Sequence, residues 1–304
     1  MTQERFHGTW YIVPTPFTQD DRVDEASIAR TVERAAAWGA DGVTVLGVMG
    51  EVTSLSDAER EAVLTTVAKA AQGRLPFAAG CSAASPSLVR ERVRQAASYG
   101  AAAAMVAAPP LLPDVDGLAR FFERVRQDTE LPIIVQDEPN ATGVRIPVSA
   151  LLAAMTAAGS DVVKLEDPPT PPKITKLLAA APGLTVFGGL GGVAAYDELN
   201  RGAAGTMTGF AFPEILKAVR GALEEGDRVR AARIFDRYLP YIAFEGQVGV
   251  GLAIRKEVLR RRGVLETART RGLAPTVDEV TSAELDDVLA RVGIVPGPEP
   301  LEVR

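Results

Sequence analysis

The 304-residue sequence has one cysteine, Cys81, and one histidine, His7. A lone cysteine forms no disulfide within its chain. A single histidine rules out a Cys/His zinc cluster and leaves a Ser-His-Asp or Cys-His nucleophile dependent on a residue near the start of the sequence. Without a positioned histidine, Cys81 reads as a small buried hydrophobe, and His7 reads as a surface residue. Long hydrophobic runs are missing as well. The longest small-apolar stretch, 101–108, stops at Pro109-Pro110, far short of a bilayer span, and no basic start leads into an apolar segment. The expectation is a cytoplasmic protein with no membrane partner. Basic charge is not in excess: 33 Lys and Arg face 39 Asp and Glu, for a net charge of −6. Such a chain has no positive field to attract nucleic acid.

What is present is ample core material, with 47% hydrophobic residues, 24% charged residues, 28 glycines and 21 prolines. Short apolar segments at 10–13, 42–46, 77–79, 103–107, 132–135, 162–165, 184–187 and 205–208 read as strands. Between them, 27–38, 56–71, 86–99, 117–127, 147–158, 173–180, 193–200 and 213–224 read as helices. Ser56 and Glu59 have capping-box spacing, and Pro147 and Pro213 suit first helical turns. Eight βα units predict a (β/α)8 TIM barrel over residues 1–225, with a doubly wound sheet as the other architecture. Residues 226–304 read as a C-terminal helical extension with helices near 229–244, 248–262 and 282–292, ending in a proline-rich tail at 295–300.

In such barrels the chemistry sits at the C-terminal ends of the strands. Only six of the 33 basic residues are lysines, and five of these fall on predicted helices, where a solvated ammonium needs no explanation. Lys164 alone lies in an apolar strand. Burial in a barrel interior favours the neutral form of a lysine, the form that attacks a carbonyl carbon, so Lys164 is a candidate Schiff-base nucleophile; a strand-end or ion-paired structural lysine is the plain alternative. Glu166, two residues on, shares its face if the strand continues, as a general acid/base or as an ion-pair partner. The turn Gly47-Val48-Met49-Gly50-Glu51 leaves a strand and offers backbone N–H groups to a carboxylate, although glycine spacing of this kind also marks ordinary tight turns. The segment Gln136-Asp137-Glu138-Pro139-Asn140 places two carboxylates and two amides after a buried strand, where a metal could also use them.

Together, Val13-Pro14-Thr15-Pro16-Phe17, the Gly47 to Glu51 turn, Pro139 with Thr142-Gly143, Lys164 in its strand, Gly188-Gly189 and the helical C-terminus resemble the dihydrodipicolinate synthase/N-acetylneuraminate lyase family of class I aldolases and dehydratases. The resemblance implies a barrel that assembles as a homo-oligomer, tetramer or dimer. It also implies a strand-six lysine, here Lys164, that joins the carbonyl of a 2-oxo acid such as pyruvate or a 2-keto-3-deoxy sugar acid, with no cofactor. Departures are equally informative. Val48 and Met49 stand where the family carries two threonines, and Gln136 stands where it carries the tyrosine that relays protons. A glutamine does not transfer protons at neutral pH. The arginine that binds a dicarboxylic substrate in the synthases falls at Ala141, and the interface tyrosine pair falls at Pro109-Pro110. These differences argue against the synthase reaction and move weight toward dehydratases, so the expected function is a Schiff-base lyase, an aldolase or a dehydratase, acting on a 2-oxo acid.

The expected catalytic set is Lys164, Gln136, Glu166 and Glu51. The expected substrate contacts are Gly47, Val48, Met49, Gly50, Asp137, Thr208 and Gly188, with no metal ligand. Two further readings stand beside it: a Mg²⁺-assisted lyase built on Glu51, Asp137, Glu138 and Glu166, and a non-catalytic member that only binds a 2-oxo acid.

Overall fold

The computed structural model describes residues 6–110, 112, 114–272 and 275–303. Eight parallel strands close into a barrel in sequence order: β1 Gly8–Ile12, β2 Gly42–Val45, β3 Phe77–Gly80, β4 Ala103–Ala107, β5 Ile133–Asp137, β6 Val162–Leu165, β7 Thr185–Gly188 and β8 Gly205–Thr208. The surrounding helices are α1 Glu25–Ala37, α2 Asp57–Ala71, α3 Pro86–Ser98, α4 Gly117–Arg126, the single turn α5 Pro139–Thr142, α6 Val148–Ala158, α7 Thr170–Ala180, α8 Ala195–Asn200 and α9 Pro213–Glu224. Beyond the last βα unit lie α10 Arg228–Glu245, α11 Gly251–Arg261 and α12 Glu279–Val292. The (β/α)8 TIM barrel and its C-terminal helices are as expected; the doubly wound sheet is not formed. No helix among the described residues is long and apolar enough to cross a membrane.

Local chemistry accounts for the helix starts. Ser56 accepts from the Glu59 N–H while the Glu59 carboxylate accepts from the Ser56 N–H, closing the capping box at α2. Asp24, Ser85, Asp227 and Asp278 cap α1, α3, α10 and α12 in the same sense. Pro213 opens α9, where its missing N–H has no helical role, whereas Pro147 precedes α6 as its cap.

Period-2 alternation divides every strand between two cores. Trp10, Ile12, Ala78, Ala103, Met105, Ile134, Val162, Phe187 and Met207 fill the barrel interior, and their strand neighbours pack outward under the helices. The indole of Trp10 sets the size of what faces it. A Cβ on Gly42 would stand 2.7 Å from the ring, so only glycine fits there. Cys81 is buried and its thiol is pushed up to about 12 by desolvation, while His7 is exposed.

β5 runs two residues further than the expected 132–135. That extension matters for the site, because it brings Gln136 into register with Lys164 on β6. The helical extension is also more than an appendix. α10 packs on α9, and the chain between α10 and α11 reaches the C-terminal face of the barrel. The proline-rich tail is tied back by Leu301 N–H to Glu214 (2.9 Å) and by the Trp38 indole N–H to the Pro298 carbonyl (3.2 Å).

Candidate active site

A cavity of about 520 Å³ opens at the C-terminal ends of the strands. Lys164 rises into it from β6 with its side chain 3% exposed, and its Nζ lies 2.5 Å from Glu166 Oε2. Gln136 Nε2 donates to the same oxygen at 2.8 Å. One carboxylate oxygen thus meets an ammonium and an amide at once, a charge-assisted arrangement that holds all three side chains in place. Glu138 lines the same cavity, its Oε2 accepting the Ala141 N–H at the start of α5. Burial, and next the negative charge of Glu166, raise the Glu138 carboxyl above the usual carboxylate range.

Gly47, Val48 and Met49 also border the cavity. Residues 48–50 form one 3-10 turn in which Gly50 N–H donates to the Gly47 carbonyl (2.9 Å) and Glu51 N–H to the Val48 carbonyl (3.0 Å). Among the described residues the N–H groups of Val48 and Met49 have no backbone acceptor outside that turn. Gly50 serves the scaffold, its carbonyl accepting from Thr15 Oγ1 at 2.7 Å.

Four expected site residues point elsewhere. Glu51 is buried away from the cavity: Lys256 Nζ holds one oxygen, and the N–H groups of Arg271 (2.7 Å) and Gly272 (2.9 Å) hold the other. Asp137 follows the inward Gln136 and so faces out, where Lys173 Nζ binds it at 2.6 Å. Burial outweighs Lys173 and pushes the Asp137 carboxyl up to about 6. Thr208 follows the inward Met207 and lies on the outer face of β8. Gly188 backs onto Glu198, since a Cβ on it would stand 1.8 Å from Glu198 Oε2. Its neighbour Gly189 faces the site, and a Cβ there would stand 2.4 Å from Glu166 Cγ.

Two of the helical lysines are not solvated as expected. Lys173 and Lys256 are helical, yet both are buried, because α7 and α11 turn those faces toward carboxylates rather than water. Lys164 is set apart by the cavity in front of it, not by burial alone. Sequence reasoning also missed the contribution of α10, α11 and the chain between them, which supply Glu245, Gln247, Leu252 and Arg255 to the cavity wall. The available signal was the charged run Arg255-Lys256-Glu257 interrupting an apolar run of Leu252, Ala253, Ile254, Val258 and Leu259.

The described titratable side chains give no cluster of three or more that would hold a metal ion. Of the four carboxylates considered for Mg²⁺, Glu51 and Asp137 are spent on lysines outside the cavity, and Glu138 and Glu166 remain in it.

Comparison with known proteins gives a consistent result. The profile of the Dihydrodipicolinate synthetase family matches residues 5–291. An L-2-keto-3-deoxyarabonate dehydratase of Azospirillum brasilense is 30% identical over 299 residues, covering 95% of both chains. A 4-hydroxy-tetrahydrodipicolinate synthase 1 of Streptomyces coelicolor is 30% identical over 246 residues, covering 78% of this chain and 77% of the relative. Among solved structures, dihydrodipicolinate synthase from Rhodopseudomonas palustris superposes with a TM-score of 0.89 at 34% identity, covering 94% of this chain and 98% of that one.

Proposed function

The chain belongs to the dihydrodipicolinate synthetase family, and on that premise we propose that it is a Schiff-base lyase that dehydrates a 2-keto-3-deoxy sugar acid. The observation that carries this reading is the contact of Glu166 with both Lys164 and Gln136. A proton-accepting carboxylate 2.5 Å from the amine can take its proton and release the neutral nucleophile. Attack on the C2 carbonyl and loss of water then give an iminium on Lys164.

The iminium acidifies the C3–H bonds, and Glu166 takes that proton. Glu138, whose carboxyl is raised by burial and by Glu166, protonates the departing C4 hydroxyl. The C4–O bond breaks, water leaves, and hydrolysis of the conjugated iminium returns Lys164. The N–H groups of Val48 and Met49 receive the substrate carboxylate, and Gln136 holds Glu166 in position. No tyrosine lines the cavity among the described residues, which supports a carboxylate as the proton carrier. The 95% overlap with the Azospirillum brasilense dehydratase, taken with the absence of a tyrosine from the described cavity lining, supports C–O rather than C–C cleavage. On the same reading the protein works without a cofactor, in the cytoplasm, as a homo-oligomer.

The test is borohydride reduction in the presence of pyruvate or a 2-keto-3-deoxy sugar acid, followed by peptide mapping. The expected result is a mass increment on the peptide containing Lys164, together with release of a dehydrated product from the sugar acid in the unreduced reaction. An increment on another peptide, or binding without turnover over a broad panel, overturns it; the latter outcome would identify a binding protein.

A further inference from the structure

We propose that Arg255 determines substrate specificity by donating hydrogen bonds to the distal hydroxyl oxygens of a polyhydroxylated monocarboxylic 2-oxo acid longer than pyruvate. This rests on Lys164 being the residue that carries the substrate.

Arg255 belongs to α11, and its side chain is 6% exposed. Its Nε donates to Glu245 Oε1 at 2.5 Å. Glu245 is in turn held by the Tyr241 hydroxyl on Oε2 (2.5 Å) and by the Ala211 N–H at 3.2 Å from each oxygen. The guanidinium is therefore fixed through one edge, and the Nη1–Nη2 edge is left over. Nη1 meets only the sulfur of Met49, a weak acceptor, and Nη2 has no hydrogen-bond acceptor among the described residues. Nη2 stands 3.5 Å from where a Cβ on Gly191 would lie, on the loop after β7. Buried donors of a charged group are ordinarily matched by good acceptors, so this edge, facing a cavity, is a place for ligand oxygen.

Position and charge identify that oxygen. Lys164 projects from a barrel strand, whereas Arg255 comes from the helical extension, and both line the same cavity. On the reading above the N–H groups of Val48 and Met49 take the C1 carboxylate, which leaves the Nη1–Nη2 edge of Arg255 for another part of the molecule. A cavity of about 520 Å³ has room for a chain much longer than pyruvate. Glu138, Glu166 and Glu245 already outnumber Lys164 and Arg255 among its lining charges. The substrate's own carboxylate adds one more negative charge. A second carboxylate would add to the repulsion, whereas hydroxyl groups use the same donors without it.

The experiment compares, with the wild-type enzyme, a 2-keto-3-deoxy sugar acid and a 2-oxo acid of equal length lacking the distal hydroxyls, by KM for turnover or by inhibition constant. The hydroxylated acid is expected to bind at least about ten-fold more tightly. Arg255→Lys, which keeps a cation for Glu245 but loses the planar fork, is expected to abolish that preference mainly through KM. Borohydride should still trap pyruvate on Lys164 in this variant. Equal affinity of the two acids for the wild-type enzyme overturns the proposal whether or not the variant folds. So does tighter binding of a dicarboxylate of the same length, or loss of pyruvate trapping in a folded Arg255→Lys protein. Failure of the wild-type enzyme to trap pyruvate would instead defeat the Schiff-base reading itself.

Discussion

Glu166 Oε2 stands 2.5 Å from Lys164 Nζ, two residues along the same chain, and neither group is more than slightly exposed. The alternation of a strand continued past β6 puts both on the inner face, and the register of β5 with β6 adds Gln136 beside them. Glu166 is thus the group best placed to manage protons around the amine.

Glu166→Gln should lower kcat by about 10²–10⁴-fold, the range for losing a general base. Borohydride should still trap pyruvate on Lys164 in this variant, more slowly. Wild-type turnover in Glu166→Gln would remove the carboxylate from the mechanism.

Glu138 should appear in the pH profile. Its carboxyl is raised by burial and by Glu166, so it retains its proton to higher pH than an ordinary glutamate. As the proposed acid of the dehydration step, it should support kcat/KM below its raised pKa and fail as pH rises through it. Glu138→Gln should lower the rate and remove that alkaline limb. An unchanged limb in the variant would assign it to another group.

Adjacent glycines should separate activity from stability. Gly189→Ala drives a methyl group into Glu166 Cγ, at 2.4 Å in the unrelaxed geometry, and should cut kcat with little change in melting temperature. Gly188→Ala collides with the Glu198 carboxylate at 1.8 Å on the far side of the strand and should lower the melting temperature first, by a destabilisation of roughly 1–3 kcal/mol. Thermal unfolding and steady-state kinetics on both variants give the comparison.

Glu198 should make stability fall as pH rises toward neutrality. Burial raises its carboxyl from 4.5 to about 7, and Thr170 is its hydrogen-bond donor at Oε1, while Oε2 has no partner among the described residues. The folded protein then binds this proton more strongly than the unfolded chain, so stability declines between pH 4.5 and about 7, by up to about 3 kcal/mol. Asp137, raised to about 6, acts in the same direction over a lower range. Denaturant unfolding across this window should show a shallower pH slope in Glu198→Gln.

Chelation should leave the reaction intact. Two of the four carboxylates that a Mg²⁺ site would need are bound by Lys256 and Lys173 away from the cavity. Full activity after EDTA and dialysis is the expected result; loss restored by Mg²⁺ would revive the metal-assisted mechanism.

The barrel was legible in the sequence because its signals are local. Eight apolar segments separated by amphipathic stretches leave few ways to bury so many short strands, and a capping box or an opening proline acts within one turn. The pairing of Lys164 with Glu166 was legible for the same reason, since alternation along one strand is a property of the chain itself. Alternation does not by itself say which face is the inside. Closure of the barrel decided that Met207 turns inward and Thr208 outward, and Gln136 inward and Asp137 outward. The destinations of long side chains were decided later still. Glu51 crosses to Lys256, Lys173 to Asp137, and Arg255 to the cavity wall, all contacts between segments far apart in sequence. A lysine's neighbours on its own helix are read from spacing, but its burial depends on what docks against that helix. Composition and periodicity therefore determined the scaffold and its strand lysine, while tertiary packing decided which charges serve the site and which hold it together.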